Sequence, residues 1–140
     1  MNTSRIAVIA ASTSIVAWLA KTSAIAMAGG LDRSPLEGPL FVAGLLSSLA
    51  AVIAISLTLT HARSVLGRIG AVLAALAGVF VLVAGLNMAI ARIQPTDPSW
   101  VWAEINLWIT AAFVLGTALV ARRSAAADDR SSAGRVMSQV

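Results

Sequence analysis

Few side chains in this sequence could do chemistry, and the most informative is a lysine inside an apolar segment. Lys21 interrupts the run WLAKTSAIAMAGG at residues 18–30, and Glu104 and Asn87 interrupt later apolar runs. A charge held in lipid is costly, so such residues are expected to face a partner or a wet cavity. These residues could bind a ligand, exchange a proton, or fix the register of packed helices.

The composition excludes most other kinds of site. The chain of 140 residues has no Cys and a single His, which excludes disulfides, thiol catalysis and Cys-ligated zinc and predicts no cofactor. Its 59% hydrophobic content and mean hydropathy of +0.89 exceed what a soluble domain of this size needs, so lipid is the expected solvent. The net charge of +4 comes mainly from residues that flank apolar runs, so no nucleic acid partner is expected.

Apolar segments near residues 6–28, 40–60, 69–91 and 100–121 define the predicted fold. Each is long enough to cross about 30 Å of hydrocarbon, which takes roughly 20 helical residues. The connecting stretches GGLDRSPLEGP, HARSVLGR and RIQPTDPS are short and rich in turn residues. Short connections place consecutive spans antiparallel. We therefore predict an all-α integral membrane protein in which residues 1–121 form an up-down-up-down four-helix transmembrane bundle.

The distribution of basic residues predicts the orientation of the bundle. Most of them lie in the N-terminal segment, in the loop between spans two and three, and in the C-terminal segment. These residues are Arg5, Arg63, Arg68, Arg122, Arg123, Arg130 and Arg135. The other loops hold only Arg33 and Arg92. The positive-inside rule then places both termini in the cytoplasm. The Arg- and Ala-rich composition indicates a bacterial chain, and hence the inner membrane.

Each terminal region carries a further expectation. Residues 1–28 also resemble a cleavable signal peptide, with Ala-x-Ala triplets at residues 24–26 and 26–28, and cleavage there would leave three spans. Residues 122–140 are small, polar and charged, and they have too little apolar surface to offset the entropy of ordering. We expect this segment to be a cytoplasmic tail that is disordered or loosely helical at its start.

Depth along the helices relates the polar residues to one another. A rise of about 1.5 Å per residue places Lys21, Glu104 and Asn87 in one layer in the outer third of the membrane. Trp18 and Trp108 lie one turn deeper, each on the helix face of its neighbouring charge. This arrangement predicts an ion pair between Lys21 and Glu104 above an aromatic layer between spans one and four. The alternatives are that Lys21 extends to the headgroups and that Glu104 reaches water or is protonated.

Small residues mark the faces expected to pack. One face of span one carries Ala10, Ser14, Ala17, Lys21, Ala24 and Ala28. Gly44 with Ser48 in span two, and the series Gly70, Ala74 and Gly78 in span three, have small-xxx-small spacing. The hydroxyls of spans one and two, including Ser14, Ser56, Thr58 and Thr60, are expected to bond back to a carbonyl one turn earlier.

These features predict a small bacterial inner-membrane protein without evident catalysis. Its partners would be the lipid bilayer and either a larger membrane complex, which it serves as an accessory or assembly subunit, or further copies of itself. An alternative is a small transporter or ligand-binding bundle, in which Lys21, Glu104 and Asn87 line an outward-facing cavity walled by Trp18 and Trp108. A more remote alternative is a quinone- or lipid-linked membrane enzyme.

Overall fold

The computed structural model describes residues 2–96 and 98–137, with side chains as far as residue 127. This part of the chain folds into four helices and contains no strand. They are α1 (Thr3–Ala28), α2 (Glu37–Leu59), α3 (Val65–Ile93) and α4 (Val101–Met137). Each helix includes a stretch long and apolar enough to cross a membrane, the composition of a multi-pass membrane protein. The all-helical prediction is therefore confirmed. The predicted spans agree with these helices to within a few residues at each end, except that α4 continues well beyond residue 121.

Local sequence explains where the first helix begins and ends. The Asn2 side chain caps α1 by accepting a hydrogen bond from the backbone N–H of Ser4 at 3.2 Å. At the other end Gly29 adopts a left-handed conformation with φ 77°, which favours glycine. The N–H of Gly30 then donates to the carbonyl of Ile25, which closes the last turn and directs the chain into the α1–α2 connection.

The contact between α1 and α2 is close because small residues lie at the crossing. Ser14 Oγ donates to the Gly44 carbonyl oxygen at 3.1 Å and lies 2.6 Å from Ser48 Oγ. The Trp18 ring covers Gly44 so closely that a Cβ at that position would lie 2.7 Å from it. Ser14 thus bonds across the interface, to a carbonyl oxygen that the absence of a side chain at Gly44 leaves accessible. The prediction that Ser14 bonds back to its own helix was wrong. This glycine allows the two helices to approach each other.

The back-bonding prediction is confirmed for the hydroxyls at the end of α2. Ser56, Thr58 and Thr60 donate to the carbonyl oxygens one turn earlier at 2.8, 2.8 and 2.6 Å. These bonds satisfy the hydroxyls within the helix and require no ligand.

The apolar core is built from three of the helices, mostly with small side chains. Its buried members are Ala7 and Ala11 of α1, Ala51, Val52, Ala54 and Ile55 of α2, and Val114, Ala118 and Ala121 of α4. The predicted packing face of α1 is turned inward, since Ser14, Ala17, Lys21 and Ala24 are buried. Within the described part of the chain, α3 contributes a single buried residue, Ile90.

The packing of α3 and the length of α4 differ from what the predicted spans indicate. Gly70, Ala74 and Gly78 of α3 are exposed, and no neighbouring atom lies within 4 Å of a Cβ built at either glycine. Among the described residues, none therefore packs closely against either glycine of the predicted small-residue series. The helical backbone of α4 continues to Met137, so the helix extends further into the polar C-terminal segment than the helical start allowed for it. Extension of an existing helix needs no new nucleus, and the alanines at 125–127 favour it.

Candidate functional site

The structure brings Lys21 and Glu104 into direct contact. Lys21 lies in the C-terminal part of α1 and Glu104 in the first turn of α4. Lys21 Nζ donates to Glu104 Oε1 at 2.5 Å, and each side chain is only 5% exposed. Removing these charges from solvent is costly, and their mutual attraction offsets that cost only while both partners are present. The pair is therefore a strong constraint on how α1 and α4 pack.

A second carboxylate, Glu37, lies beside the lysine. Glu37 Oε1 is 3.9 Å from Lys21 Nζ, and the Glu37 side chain is 16% exposed. Glu37 begins α2, where the positive end of the helix dipole favours a carboxylate. Its Oε2 accepts a hydrogen bond from the backbone N–H of Asp32 at 2.9 Å, and Asp32 adopts φ 58°. The α1–α2 connection thus folds back so that the backbone of Asp32 holds the Glu37 carboxylate near the lysine.

These groups line an open cleft of about 490 Å³. Its lining residues are Lys21, Leu31, Asp32, Ser34, Glu37, Gly38, Phe41 and Glu104. These described lining residues include three acidic side chains and one lysine, so the cleft has a formal excess of negative charge. Glu104 Oε2 is buried and has no hydrogen-bond partner among the described residues. Because an unsatisfied buried acceptor is unfavourable, this oxygen is suited to receive a donor.

Aromatic side chains shape the inner wall of the cleft, but with a different arrangement from the predicted one. Lys21 Nζ lies 5.9 Å from the centroid of the Phe41 ring, within the range of a cation–π interaction. Trp18 packs against Phe41 edge-on, with ring centroids 5.5 Å apart. Trp18 thus contacts α2, whereas the sequence analysis placed it with Trp108 in a layer between spans one and four. Trp108 is partly exposed on α4.

Asn87 belongs to a separate polar contact between α3 and α4. Asn106 Nδ2 donates to Asn87 Oδ1 at 2.7 Å and lies 3.5 Å from the Val83 carbonyl oxygen. Thr110 Oγ1 donates to Asn106 Oδ1 at 3.3 Å. Asn87 therefore pairs with Asn106, and it does not line the Lys21 cleft.

Sequence reasoning missed Glu37 and Asp32 because it assigned both to a solvated loop. The signal for Glu37 was available, since an acidic residue at the start of an apolar run is favoured in the first turn of a helix. The backbone conformation of the connection could not be predicted in this way, because it depends on the left-handed conformation of Asp32. Among the side chains that the structure describes, which end at residue 127, no group of three or more His, Cys, Asp or Glu is placed to hold a metal ion.

Comparison with known proteins adds no relative to this geometry. No protein-family model, no curated protein and no solved structure matches the chain. The function must therefore be argued from the residues and their contacts.

Proposed function

We propose that the protein is a small, non-catalytic protein of the bacterial inner membrane that serves as a subunit of a larger membrane assembly. Its four helices cross the bilayer in alternating directions, and both termini are cytoplasmic. Contacts between consecutive helices support this arrangement of neighbouring helices. Ser48 of α2 forms a hydrogen bond with Ser14 of α1, and Asn106 of α4 forms one with Asn87 of α3. The Lys21–Glu104 pair likewise joins the end of α1 to the beginning of α4.

The observation that carries the assembly proposal is the uncovered small-residue face of α3. Gly70, Ala74, Ala77, Val81 and Gly85 share its exposed face with larger side chains such as Phe80 and Met88. Helix faces that contact only lipid have no need of glycine, whereas close helix–helix contacts in membranes are enriched in small residues. Gly44 of α2 is an example of a glycine at a close helix–helix contact, because the Trp18 ring of α1 occupies the space that a Cβ would fill.

The glycines of α3 lack such an explanation within the chain. At Gly70, Gly78 and Gly85 a Cβ would meet no described atom within 4 Å. Glycine inside a helix also lowers stability by about 1 kcal/mol relative to alanine. A transmembrane helix of another subunit, packed along this face, would account for all of these positions.

Photocrosslinking in native membranes tests the assembly proposal. A benzophenone side chain placed at Ala74 or Ala77 should give a discrete protein adduct, and mass spectrometry would identify the adduct as a second copy or as a different subunit. The matched control is Val16, which is 63% exposed on α1. Lipid adducts alone at Ala74 and Ala77, as expected at Val16, would contradict the proposal.

The polar cleft favours a second candidate, a ligand-binding or transport bundle. The specific observation is the excess of carboxylates around Lys21, with the buried Glu104 Oε2 left unsatisfied. This excess of negative charge suits a small organic cation and disfavours an anionic ligand. Calorimetry of the purified protein with guanidinium and tetramethylammonium salts tests the candidate. Equal heats for wild type and for the double variant Lys21→Ala/Glu104→Ala would refute it.

A further inference from the structure

The end of the molecule opposite the Lys21 cleft has a cavity of different chemistry. This cavity of about 200 Å³ is lined by Asn2, Thr3, Leu57, Thr58, His61, Arg68 and Ala125. Its walls come from the start of α1, the end of α2, the start of α3 and the C-terminal half of α4. No carboxylate is among these described lining residues. The cavity is therefore polar and positively charged.

Arg68 brings an unsatisfied donor to this cavity. Its Nε is buried and has no hydrogen-bond partner among the described residues. A guanidinium presents its N–H donors in a planar fork that matches the oxygens of a phosphate group. His61 lines the same cavity, and its Nδ1 donates to the Thr58 carbonyl oxygen at 3.1 Å. The first turn of α1, which starts at Thr3, adds the positive end of a helix dipole.

An apolar groove continues from this cavity along the outside of α2 and α3. The groove has a volume of about 280 Å³ and is lined by Leu57, Val65, Arg68, Ile69, Val72 and Leu73. Leu57 and Arg68 line both spaces, so Arg68 lies where the polar cavity and the groove meet. A ligand that fills both must carry an anionic group joined to a hydrocarbon chain.

We propose that this end of the protein binds a single anionic glycerophospholipid, whose phosphate contacts Arg68 and whose acyl chain lies in the groove between α2 and α3. The proposal rests on the bilayer-spanning arrangement proposed above and is independent of the partner of α3. The further basic residues Arg5, Arg63, Arg122 and Arg123 belong to the same half of the predicted topology and attract an anionic leaflet. They supply general attraction, whereas Arg68 supplies the specific contact.

Lipid titration of the full-length protein by native mass spectrometry tests the proposal. Phosphatidylglycerol is compared with phosphatidylcholine of the same acyl chains, and glycerol phosphate and inorganic phosphate are added as competitors without a chain. We expect phosphatidylglycerol to bind as a single discrete lipid, and Arg68→Gln to weaken it by about tenfold or more, as for loss of a charge-assisted hydrogen bond. Arg63→Gln is the matched control, because Arg63 lies in the α2–α3 connection just before α3 but lines neither space, and it should leave the affinity nearly unchanged.

Each other outcome overturns a definite part of the proposal. An equal loss of lipid affinity in Arg63→Gln and Arg68→Gln would show general surface attraction. Equal binding of phosphatidylcholine and phosphatidylglycerol would show that the negative charge of the headgroup does not contribute to recognition. Displacement of the lipid by inorganic phosphate at similar concentration would show a free-anion site without a role for the groove. If Arg68→Gln does not fold, Arg68→Lys keeps the charge without the planar fork and should still lose affinity. Protease mapping of the same variants in vesicles reports the topology separately, so failure of lipid binding and failure of the bilayer arrangement are distinguishable.

Discussion

Replacing Lys21 by methionine should destabilise the protein strongly, because it leaves a buried carboxylate without its counter-ion. Both side chains of the Lys21–Glu104 pair are 5% exposed, so solvent screening does not reduce the effect appreciably. Breaking a buried pair by removing one partner costs roughly 3 to 5 kcal/mol. Glu37 adds to this, since its carboxylate lies 3.9 Å from the same ammonium group and would then face Glu104 without an intervening cation.

A double-mutant cycle separates this cost from simple loss of packing. The double variant Lys21→Met/Glu104→Leu removes both charges and should lie within about 1 kcal/mol of wild type, because a buried ion pair can be replaced by apolar groups at little cost. Glu37→Gln is the control for a looser contact and should lose less than about 1 kcal/mol. Unfolding in mixed micelles by titration with SDS, followed by circular dichroism, measures each value. The reasoning fails if Lys21→Met matches wild type or if the double variant is as unstable as the single one.

Three further predictions concern the helix contacts. Gly44→Leu should destabilise the protein by roughly 1 to 3 kcal/mol in the same unfolding assay, because its side chain must displace the Trp18 ring, and an equal loss in Gly70→Leu would contradict this. Asn106→Leu should cost about 0.6 kcal/mol and at most about 1.7, measured by the same titration, and a larger loss would show that the Asn87 contact does more than join α3 to α4. Ser14→Ala should lower stability by about 1 kcal/mol, whereas the same change at Thr58, whose hydroxyl bonds only within α2, should have a smaller effect on the unfolding midpoint.

The helices could be predicted from the sequence because each is a long apolar run bounded by turn residues. Depth along a helix could also be predicted, and it placed Lys21 level with Glu104. What depth cannot give is the direction in which each side chain points around the helix axis. Trp18 was therefore assigned to the α1–α4 contact although it faces Gly44 of α2, and Asn87 was grouped with Lys21 although its partner is Asn106.

The cleft was harder to predict than the helices because part of it comes from a connection. Glu37 lies near Lys21 and accepts a hydrogen bond from the backbone of Asp32, in a turn whose shape depends on the left-handed conformation of Asp32. Sequence periodicity carries no information about such a turn. The open face of α3 was likewise beyond prediction, since small-residue spacing indicates that a helix can pack closely but does not identify its partner.

The central claim, four crossings with both termini on one side, is tested most directly by cysteine accessibility in sealed inner-membrane vesicles. The chain contains no native cysteine, so single cysteines at Asn2, Ser34, Ala62, Ser99 and Ser124 report one position each. A membrane-impermeant maleimide added to inside-out vesicles should label positions 2, 62 and 124 and leave 34 and 99 unlabelled until the membrane is permeabilised. Labelling of positions 34 and 62 from the same side of the membrane would contradict the account.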